Sequence, residues 1–515
     1  MARLLVSLSL WLMVEAAVHA YWLTPTRAEI IKSRAEFYIE EDSVRLNLFA
    51  AKEDLDKFAK LLSGKDSQVE EFFQNSLHLS TDFQDKIMGR VVKTGDWKTL
   101  FPELAASQAQ TSRRRIEYAK YIEVRFSFNK TPTRVDISPL TYNKEVHKLG
   151  MICFHLSLPV IEVQPLVQKE RVILDWRDPW KSRFTNKKWV KYPETPAISF
   201  LYIENKEVRH EIIVRPIDLK PWLEVDWIDK PLWGLNLRQQ IKDDVSRFLM
   251  KHSEIAIDGV KTPFDISQVD FMQLTSRGAN PVDELELLRP KGVLLGVILT
   301  SQRRNWPQEV KLDWKLFGET IHEVAAKVAD DVQEVSRTLK KGNNQLQWVA
   351  ATNKKMDNFS GGVSSKSSLA ESLIRFSGFG GMREDKLKGV LQALLRRIYG
   401  AFDYRNENDI YDSLAECVEG DLLQRIYLEI KEALTVQNKE GLRVRVNAVE
   451  ILAAQTVDSF SGGYIVETKW NVSGSVGHWG HVHRRTNQYR AKLKIQAADS
   501  VWKLLELELI DEERL

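Results

Sequence analysis

The stretch Tyr464–Ile495, YIVETKWNVSGSVGHWGHVHRRTNQYRAKLKI, alternates apolar and polar residues on both sides of a glycine-rich centre. A period of two is typical of a strand that buries one face, because successive side chains point to opposite sides of a sheet. The centre, Gly477–Gly480, has the composition of a hairpin turn. The stretch therefore predicts two long antiparallel strands, which bury the faces that carry Trp470 and Tyr489.

The buried face of the second strand becomes polar toward the turn, where the odd positions from 481 to 487 are two histidines, an arginine and an asparagine. The two histidines lie on one face, with Cβ atoms about 6–7 Å apart in an extended strand. One interpretation is the polar mouth of a ligand cavity. The candidate binding residues are Trp470, His481, His483, Arg485 and Asn487.

Two other interpretations apply to the same histidines. Imidazole binds Zn, Cu or Ni, so His478, His481 and His483 are candidate ligands of a divalent transition metal, with a distant carboxylate as an alternative third ligand. The simplest interpretation is a hydrogen-bonded hairpin end whose histidines pack against Trp479 and the helices. We favour that one, and we assign no cofactor and no catalytic residue.

The residues around this hairpin complete a helix-then-strand unit over 385–515. Apolar residues recur at helical spacing in three segments, and Asn406 is placed to cap the second. The predicted helices are Leu387–Phe402, Asp409–Val418 and Leu422–Leu434. The predicted strands are Val444–Leu452, Tyr464–Val476, His481–Ile495 and Val501–Ile510.

This element order resembles the cone-shaped NTF2-like superfamily, also called SnoaL-like. The resemblance rests further on the helix end Ile398-Tyr399-x-x-Phe402 and on a final strand that holds Trp502. It implies an α+β cone whose relatives include binding and dimerisation modules as well as isomerases, dehydratases and hydrolases. A homodimer through this domain is expected on the same ground. Fold alone does not decide among these functions.

An internal repeat organises the first two thirds of the chain. Three short motifs occur twice in the same order, which indicates a degenerate duplication. The first motif is Val44-Arg45 with Asp54-Leu55 and Phe58, which matches Val208-Arg209 with Asp218-Leu219 and Trp222. The second is Val135-Asp136-Ile137 with Leu140, which matches Val269-Asp270-Phe271 with Leu274. The third is Val172-x-Leu174-Asp175-Trp176, which matches Val310-x-Leu312-Asp313-Trp314.

Both halves of the repeat read mainly as strands with helical insertions, over residues 21–190 and 191–342. Short β-branched and aromatic runs predict the strands, and Leu237–Met250 predicts a helix in the second half. We expect two tandem β-sandwich domains that resemble immunoglobulin-like modules in architecture. A polar segment rich in Ser, Gly, Asn and Lys predicts a flexible linker over 343–384.

The N-terminus has the layout of a secretory signal peptide over residues 1–20. Arg3 supplies a positive charge, Leu4–Val14 is an apolar run too short to span a membrane, and Val18-His19-Ala20 provides small residues at the cleavage positions. We therefore expect a periplasmic or secreted protein that begins at Tyr21. The whole chain also resembles large, uncharacterised envelope proteins of Gram-negative bacteria.

Composition narrows the class of function. The chain has 515 residues with 74 Lys+Arg and 71 Asp+Glu, so a net charge of +3 does not indicate a nucleic-acid partner. No apolar run is long enough for a membrane span, and the two cysteines are expected to be buried, inert thiols. Catalytic serine, phosphate-loop and HExxH motifs are absent from the sequence. The leading hypothesis is a non-enzymatic interaction or assembly module among envelope proteins; the alternative is a small-ligand or metal-binding protein, with or without enzymatic activity, that uses the cone near His481 and His483.

Overall fold

The chain is multidomain and mostly β, with several separate sheets. A computed structural model describes residues 32–54, 71–72, 76–102, 117–142, 144–189, 191, 195–204, 206–275, 278–282, 288–303, 305–330, 333–350, 383–440, 443–479, 481–498 and 501–515. The predicted signal peptide 1–20 lies outside these residues, as do most of the first predicted helical insertion and residues 351–382 of the predicted linker.

The first unit packs a large sheet against a small one. The large sheet has the strand order β10-β9-β1-β2-β5-β4 and the small sheet the order β12-β11-β6-β3. These strands, with the hairpin β7–β8 and the one-turn helix α1, are β1 (Arg34–Ile39), β2 (Ser43–Ala51), β3 (Leu79–Thr81), β4 (Arg90–Asp96), α1 (Trp97–Leu100), β5 (Tyr118–Ser127), β6 (Arg134–Ile137), β7 (Leu140–Tyr142), β8 (Glu145–His147), β9 (Leu149–His155), β10 (Leu158–Leu166), β11 (Glu170–Ile173) and β12 (Arg183–Phe184).

The second unit has the same two-layer arrangement. Its large sheet has the order β18-β17-β19-β14-β13-β21-β22 and its small sheet the order β16-β15-β20-β23. Its elements are β13 (Ile198–Ile203), β14 (Glu207–Val214), α2 (Leu235–His252), β15 (Ser253–Ile257), β16 (Val260–Thr262), β17 (Asp265–Thr275), β18 (Gly278–Pro281), β19 (Leu294–Gln302), β20 (Glu309–Trp314), β21 (Glu323–Ala329), β22 (Glu334–Lys340) and β23 (Gln345–Val349).

The strand pairing of the two units corresponds step by step. In the first unit β1 pairs antiparallel with β2 and parallel with β9, and β2 pairs with β5. In the second unit β13 pairs antiparallel with β14 and parallel with β21, and β14 pairs with β19. Three adjacent strands of each small sheet, β3-β6-β11 and β15-β20-β23, follow the same order along the chain. Both units therefore share one topology.

One of the three sequence motifs matches equivalent strands. Val44 and Val208 each follow the turn of the first hairpin, opposite Ile39 and Ile203. The second motif falls on β6, a strand of the first unit's small sheet, and on β17, a strand of the second unit's large sheet. The third motif falls on β11 and β20, but the strand of the first unit that corresponds to β20 is β6. Those two matches are wrong as an alignment, because short apolar alternation recurs in any half-buried strand.

The C-terminal unit consists of three helices and a four-stranded antiparallel meander, β24-β25-β26-β27. The helices pack on one face of the sheet around a shared apolar core, and Asn406 caps the second helix by accepting from the Asn408 amide at 2.9 Å. The elements are α3 (Glu384–Gly400), α4 (Glu407–Ala415), α5 (Asp421–Glu440), β24 (Arg443–Phe460), β25 (Gly463–His478), β26 (His481–Ala498) and β27 (Val501–Arg514).

Each of the three units has its own apolar core. Cys153 and Cys417 are free and buried in two of these cores, as predicted. The predicted boundary of the second domain at residue 342 is too early, because β23 pairs with β20 and completes the small sheet. The first residues of the predicted linker, up to the end of β23 at Val349, therefore belong to the second unit.

Candidate functional site

A polar cluster lies on the helix-facing side of the C-terminal sheet. Strand register sets Trp470 beside Tyr489 and Tyr489 beside Glu512, and it sets Asn487 one step nearer the hairpin turn. Trp470, Asn487 and Tyr489 are buried, as the period-two pattern predicts, and Glu512 is half-buried. The predicted binding residues Trp470 and Asn487 therefore lie together.

Hydrogen bonds connect the cluster around one carboxyl group. The Asn487 Nδ2 donates to the Tyr489 hydroxyl at 3.0 Å and to Glu512 Oε1 at 3.3 Å. Burial raises the pKa of Glu512, and the hydrogen bonds from Tyr489 and Asn487 only partly oppose this effect. The second oxygen, Oε2, is buried and has no hydrogen-bond partner among the described residues.

Two buried donors face the same spot from the helix and the sheet. The Tyr399 hydroxyl, at the end of α3, lies beside the Trp470 indole and within the electrostatic reach of Glu512. Within the described part of the chain, neither the Tyr399 hydroxyl nor Trp470 Nε1 has a well-formed hydrogen bond. Polar atoms buried in this way cost about 1–3 kcal/mol each when unsatisfied, so they mark a place that can accept a polar ligand.

Two arginines border this cluster toward the hairpin turn. Arg485 pairs with Gly474 in the strand register, on the same face as Asn487. Burial, and then the nearby Arg514, lower the pKa of Arg485 to about 10, so the guanidinium is charged at neutral pH. Three predicted binding residues, Trp470, Arg485 and Asn487, are therefore brought to one side of the sheet.

The predicted histidines flank the turn, but their side chains lie outside the described part of the structure. The backbones of His478 and His481 pair directly across the hairpin, and His483 pairs with Val476. The predicted metal site thus stays untested at these three positions. Among the residues whose placement is described, no group of three or more His, Cys, Asp or Glu side chains could hold a metal ion.

The tip of this hairpin reaches the second β-unit. Trp479, the turn residue after β25, is 1% exposed and belongs to an apolar cluster on the outer face of the large sheet of the second unit. Leu158 and Trp180 of the first unit join the same cluster. The members from the second unit are Ile198, Ile213, Met272, Leu274, Leu294, Ile298 and Ala325.

A glycine forms the floor beneath the indole. A Cβ built on Gly296 of β19 would lie 2.4 Å from Trp479 Cη2 and 2.4 Å from Cζ3, so no larger residue fits under the ring. Glycine inside a strand often marks such a close approach. The tip is also under local constraint, because Trp479 has a φ of 41°, which is rare for a bulky residue.

A second contact joins the same two units at the β13–β14 turn. Arg405 Nη2 lies 3.6 Å from Glu207 Oε1, and Lys206 Nζ lies 5.1 Å from the centre of the Tyr404 ring. Burial lowers the pKa of Lys206, although Asp403 of the C-terminal unit acts in the opposite direction. Within the described ranges, the C-terminal unit therefore contacts the second β-unit through the Trp479 side chain and through this polar patch.

The two β-units meet at a buried ion cluster. Arg215 donates to both carboxylate oxygens of Asp218, at 2.7 and 2.8 Å, and to Asp178 Oδ1 of the first unit at 2.6 Å. Burial by itself favours the neutral guanidine, but the two carboxylates raise the pKa of Arg215. The segment 175–180, which contains Asp178, is thus a structural turn at this junction.

The turn at residues 156–157 of the first unit also contacts the second β-unit at this junction. Gln273 Nε2 donates to Ser157 Oγ at 2.9 Å, and a Cβ on Gly292 would lie 2.2 Å from the carbonyl oxygen of Leu156. All eight residues of β14 are buried. A strand that is buried on both faces must be packed against other residues on both sides. On the outer face of the large sheet, residues of the first unit and of the C-terminal unit pack against β14.

Sequence reasoning missed Trp479, Gly296 and Glu512 as site residues. Trp479 stands in a turn between glycines, and Gly296 is a lone glycine inside an apolar strand; both signals point to close packing. Glu512 carries no such signal, because it lies in an acidic segment that reads as solvated.

Among the described residues, no helix has the length and apolar character needed to cross a membrane.

No protein-family model matches the chain, and no curated protein matches it either. The crystal structure of the intermembrane space region of chloroplast protein ARC6 is similar at 17% sequence identity and a TM-score of 0.20, covering 25% of this chain and 98% of that one. A TM-score this low supports no conclusion about fold or function.

Proposed function

We propose that this protein is a secreted, non-enzymatic component of the cell envelope that works as an interaction and assembly module. The signal-peptide layout of residues 1–20 supports export, and the absence of sequence motifs for catalysis supports a binding role. In this proposal the two β-units are immunoglobulin-like sandwiches in architecture, and the C-terminal unit is an NTF2-like cone.

One observation carries the proposal. Trp479, Leu158 and Trp180 come from two different units and are buried in one cluster on the third. Such a shared cluster fixes the orientation of three units and makes them one extended surface, which suits a scaffold better than a catalyst. The buried Arg215–Asp178 pair adds a second fixed point between the β-units.

The outer face of the C-terminal sheet is the surface we propose for the partner. Helices cover the opposite face, whereas the outer face carries Arg490, Lys492 and Lys494 of β26 beside an acidic row on β27. Basic side chains of β26 lie opposite acidic side chains of β27 on this face. In one solvent-exposed ion pair, Lys494 Nζ lies 2.7 Å from Glu506 Oε1. Mixed charge of this kind gives specificity and orientation to protein contacts rather than large affinity.

The experiment is crosslinking and affinity capture of the tagged full chain from its own envelope. We expect the same envelope protein, or a second copy of the chain, in replicate captures. The variant Arg490→Glu/Lys492→Glu should lose it, and Arg425→Glu, an exposed charge on helix α5, should retain it. A monomer with no recoverable partner would count against the proposal. N-terminal sequencing of the exported protein tests the localisation, with Tyr21 as the expected first residue.

A second candidate function is small-ligand binding in the C-terminal cone. The observation that favours it is the convergence of the Tyr399 hydroxyl, Trp470 Nε1 and Glu512 Oε2, none of which has a well-formed hydrogen bond among the described residues. Two donors and one carboxyl oxygen suit a small polar molecule with both an acceptor and a donor group. Arg485 adds a positive charge at the edge of the cluster.

Native mass spectrometry of the purified full chain tests this candidate. A small molecule that stays bound to the wild type and is lost from Tyr399→Phe and Glu512→Gln would support it; an empty wild type would not.

Metal analysis of the same preparations, with a His481→Ala/His483→Ala variant beside the wild type, tests the hypothesis that these histidines bind a metal ion. Sub-stoichiometric metal in both proteins would end that hypothesis.

A further inference from the structure

We propose that Trp479 is a latch that holds the C-terminal unit closed on the second β-unit. The indole occupies a position that exists only because residue 296 is glycine. The three heavy atoms nearest to a Cβ on Gly296 all belong to Trp479, so the restriction comes from the plug and not from the sheet. The pocket and the hairpin tip are therefore matched to each other.

One feature of the plug opposes its insertion. The indole Nε1 of Trp479 is buried and lacks a hydrogen-bond partner among the residues described. Withdrawal relieves this cost, because water then satisfies the indole. The φ of 41° at Trp479 belongs to the two-residue turn between His478 and His481, so it is a property of the hairpin and is present whether or not the indole is inserted. Among the described residues, apolar packing holds the plug in place.

The second contact is polar and lies elsewhere on the interface. Arg405 and Glu207 are 3.6 Å apart, and Lys206 faces the Tyr404 ring. Glu207 is buried and Arg405 is mostly buried, so the loss of hydration of both charges offsets much of their attraction. The pair therefore orients the two surfaces but contributes little net free energy. Removing Trp479 should therefore free the C-terminal unit from its fixed orientation and expose the apolar cluster beneath it.

A double-mutant cycle on the full chain tests the latch. Trp479→Ala removes the plug, Gly296→Val fills its pocket from the other side, and Gly234→Ala is the matched control, because its Cβ would meet nothing within 4 Å. Spin labels on Val260→Cys and Leu428→Cys, which are 65% and 52% exposed, report the distance between the two units. The native cysteines are buried and do not compete for label.

We expect one narrow distance distribution for the wild type and Gly234→Ala, and a broad one for Trp479→Ala and for Gly296→Val. Gly296→Val should lower the thermal midpoint in the wild type but not in the Trp479→Ala background, where the pocket is empty. A narrow distribution in Trp479→Ala would overturn the proposal. An equal loss of stability from Gly296→Val in both backgrounds would overturn it as well. Neither measurement needs a partner, so the result is independent of the proposed envelope function.

Discussion

The buried imidazole of His210 predicts that the second β-unit is sensitive to acid. His210 lies inside the sandwich, with Nε2 2.8 Å from Ser199 Oγ and its ring 5.8 Å from the Phe264 ring. Burial lowers the pKa of His210 from 6.5 to about 3, because the core cannot solvate an imidazolium. The unfolded chain therefore takes up the proton first. The contribution of neutral His210 to stability is complete above about pH 6.5 and is lost as the pH falls toward the folded-state value.

The magnitude follows from the two pKa values of His210. Each pH unit between them costs about 1.36 kcal/mol of unfolding free energy, so a change from pH 7 to pH 5 removes about 2 kcal/mol. Urea unfolding of the wild type and of His210→Gln at both pH values measures this loss. Other titrating groups act in both proteins, so the difference between the two losses isolates His210.

We expect the loss between pH 7 and pH 5 to be about 2 kcal/mol smaller in His210→Gln than in the wild type. The variant will be less stable at both pH values, since the Ser199 hydroxyl loses its partner; that offset cancels in the comparison. Equal losses in the two proteins would refute the reasoning and mean that water reaches the imidazole in the folded state.

Three further predictions concern other buried groups. Arg215→Met should destabilise the chain by about 3–5 kcal/mol because it leaves Asp218 buried and unpaired, and Arg215→Met/Asp218→Leu should recover most of that loss in urea unfolding; equal instability of both variants would contradict this. Tyr399→Phe should not lower the unfolding free energy and should raise it by up to about 1–3 kcal/mol, because the hydroxyl it removes is buried without a well-formed hydrogen bond; a loss of stability would reveal a bound partner. Cys153 and Cys417 should not react with a thiol reagent until the chain is unfolded, since burial raises the pKa of Cys417 to about 12 and that of Cys153 further; rapid reaction of the native protein would contradict the burial.

Local patterns in the sequence predict local structure well in the C-terminal unit. The odd positions of β26 from Asn487 to Ile495 are buried, and the helices over 384–440 match the segments with helical spacing. Period two and period 3.6 report directly which side of an element faces the core. The segment Phe37–Phe49 is not one strand, because the polar residues Glu40-Glu41-Asp42 form the turn between β1 and β2.

Repetition was only partly visible in the sequence. The match at Val44 and Val208 falls on equivalent strands because both positions follow the turn of the first hairpin in their unit. The other two matches fall on different strands, since alternation alone does not encode the neighbour of a strand. The parallel pairing of β1 with β9, and of β13 with β21, joins segments far apart in sequence. Only the assembled sheets reveal the shared topology.

The sequence by itself determined the elements of the C-terminal unit, the burial of both cysteines and the face of the hairpin that carries Trp470 and Asn487, because each depends on residue type at short range. Tertiary structure alone decided that Trp479 fits over Gly296, that Arg215 binds Asp178 of the other β-unit, and that Tyr399 approaches Glu512. Each of these contacts joins residues from separate elements, and their distances depend on how whole sheets and helices pack. Residue spacing along the chain carries no record of that packing.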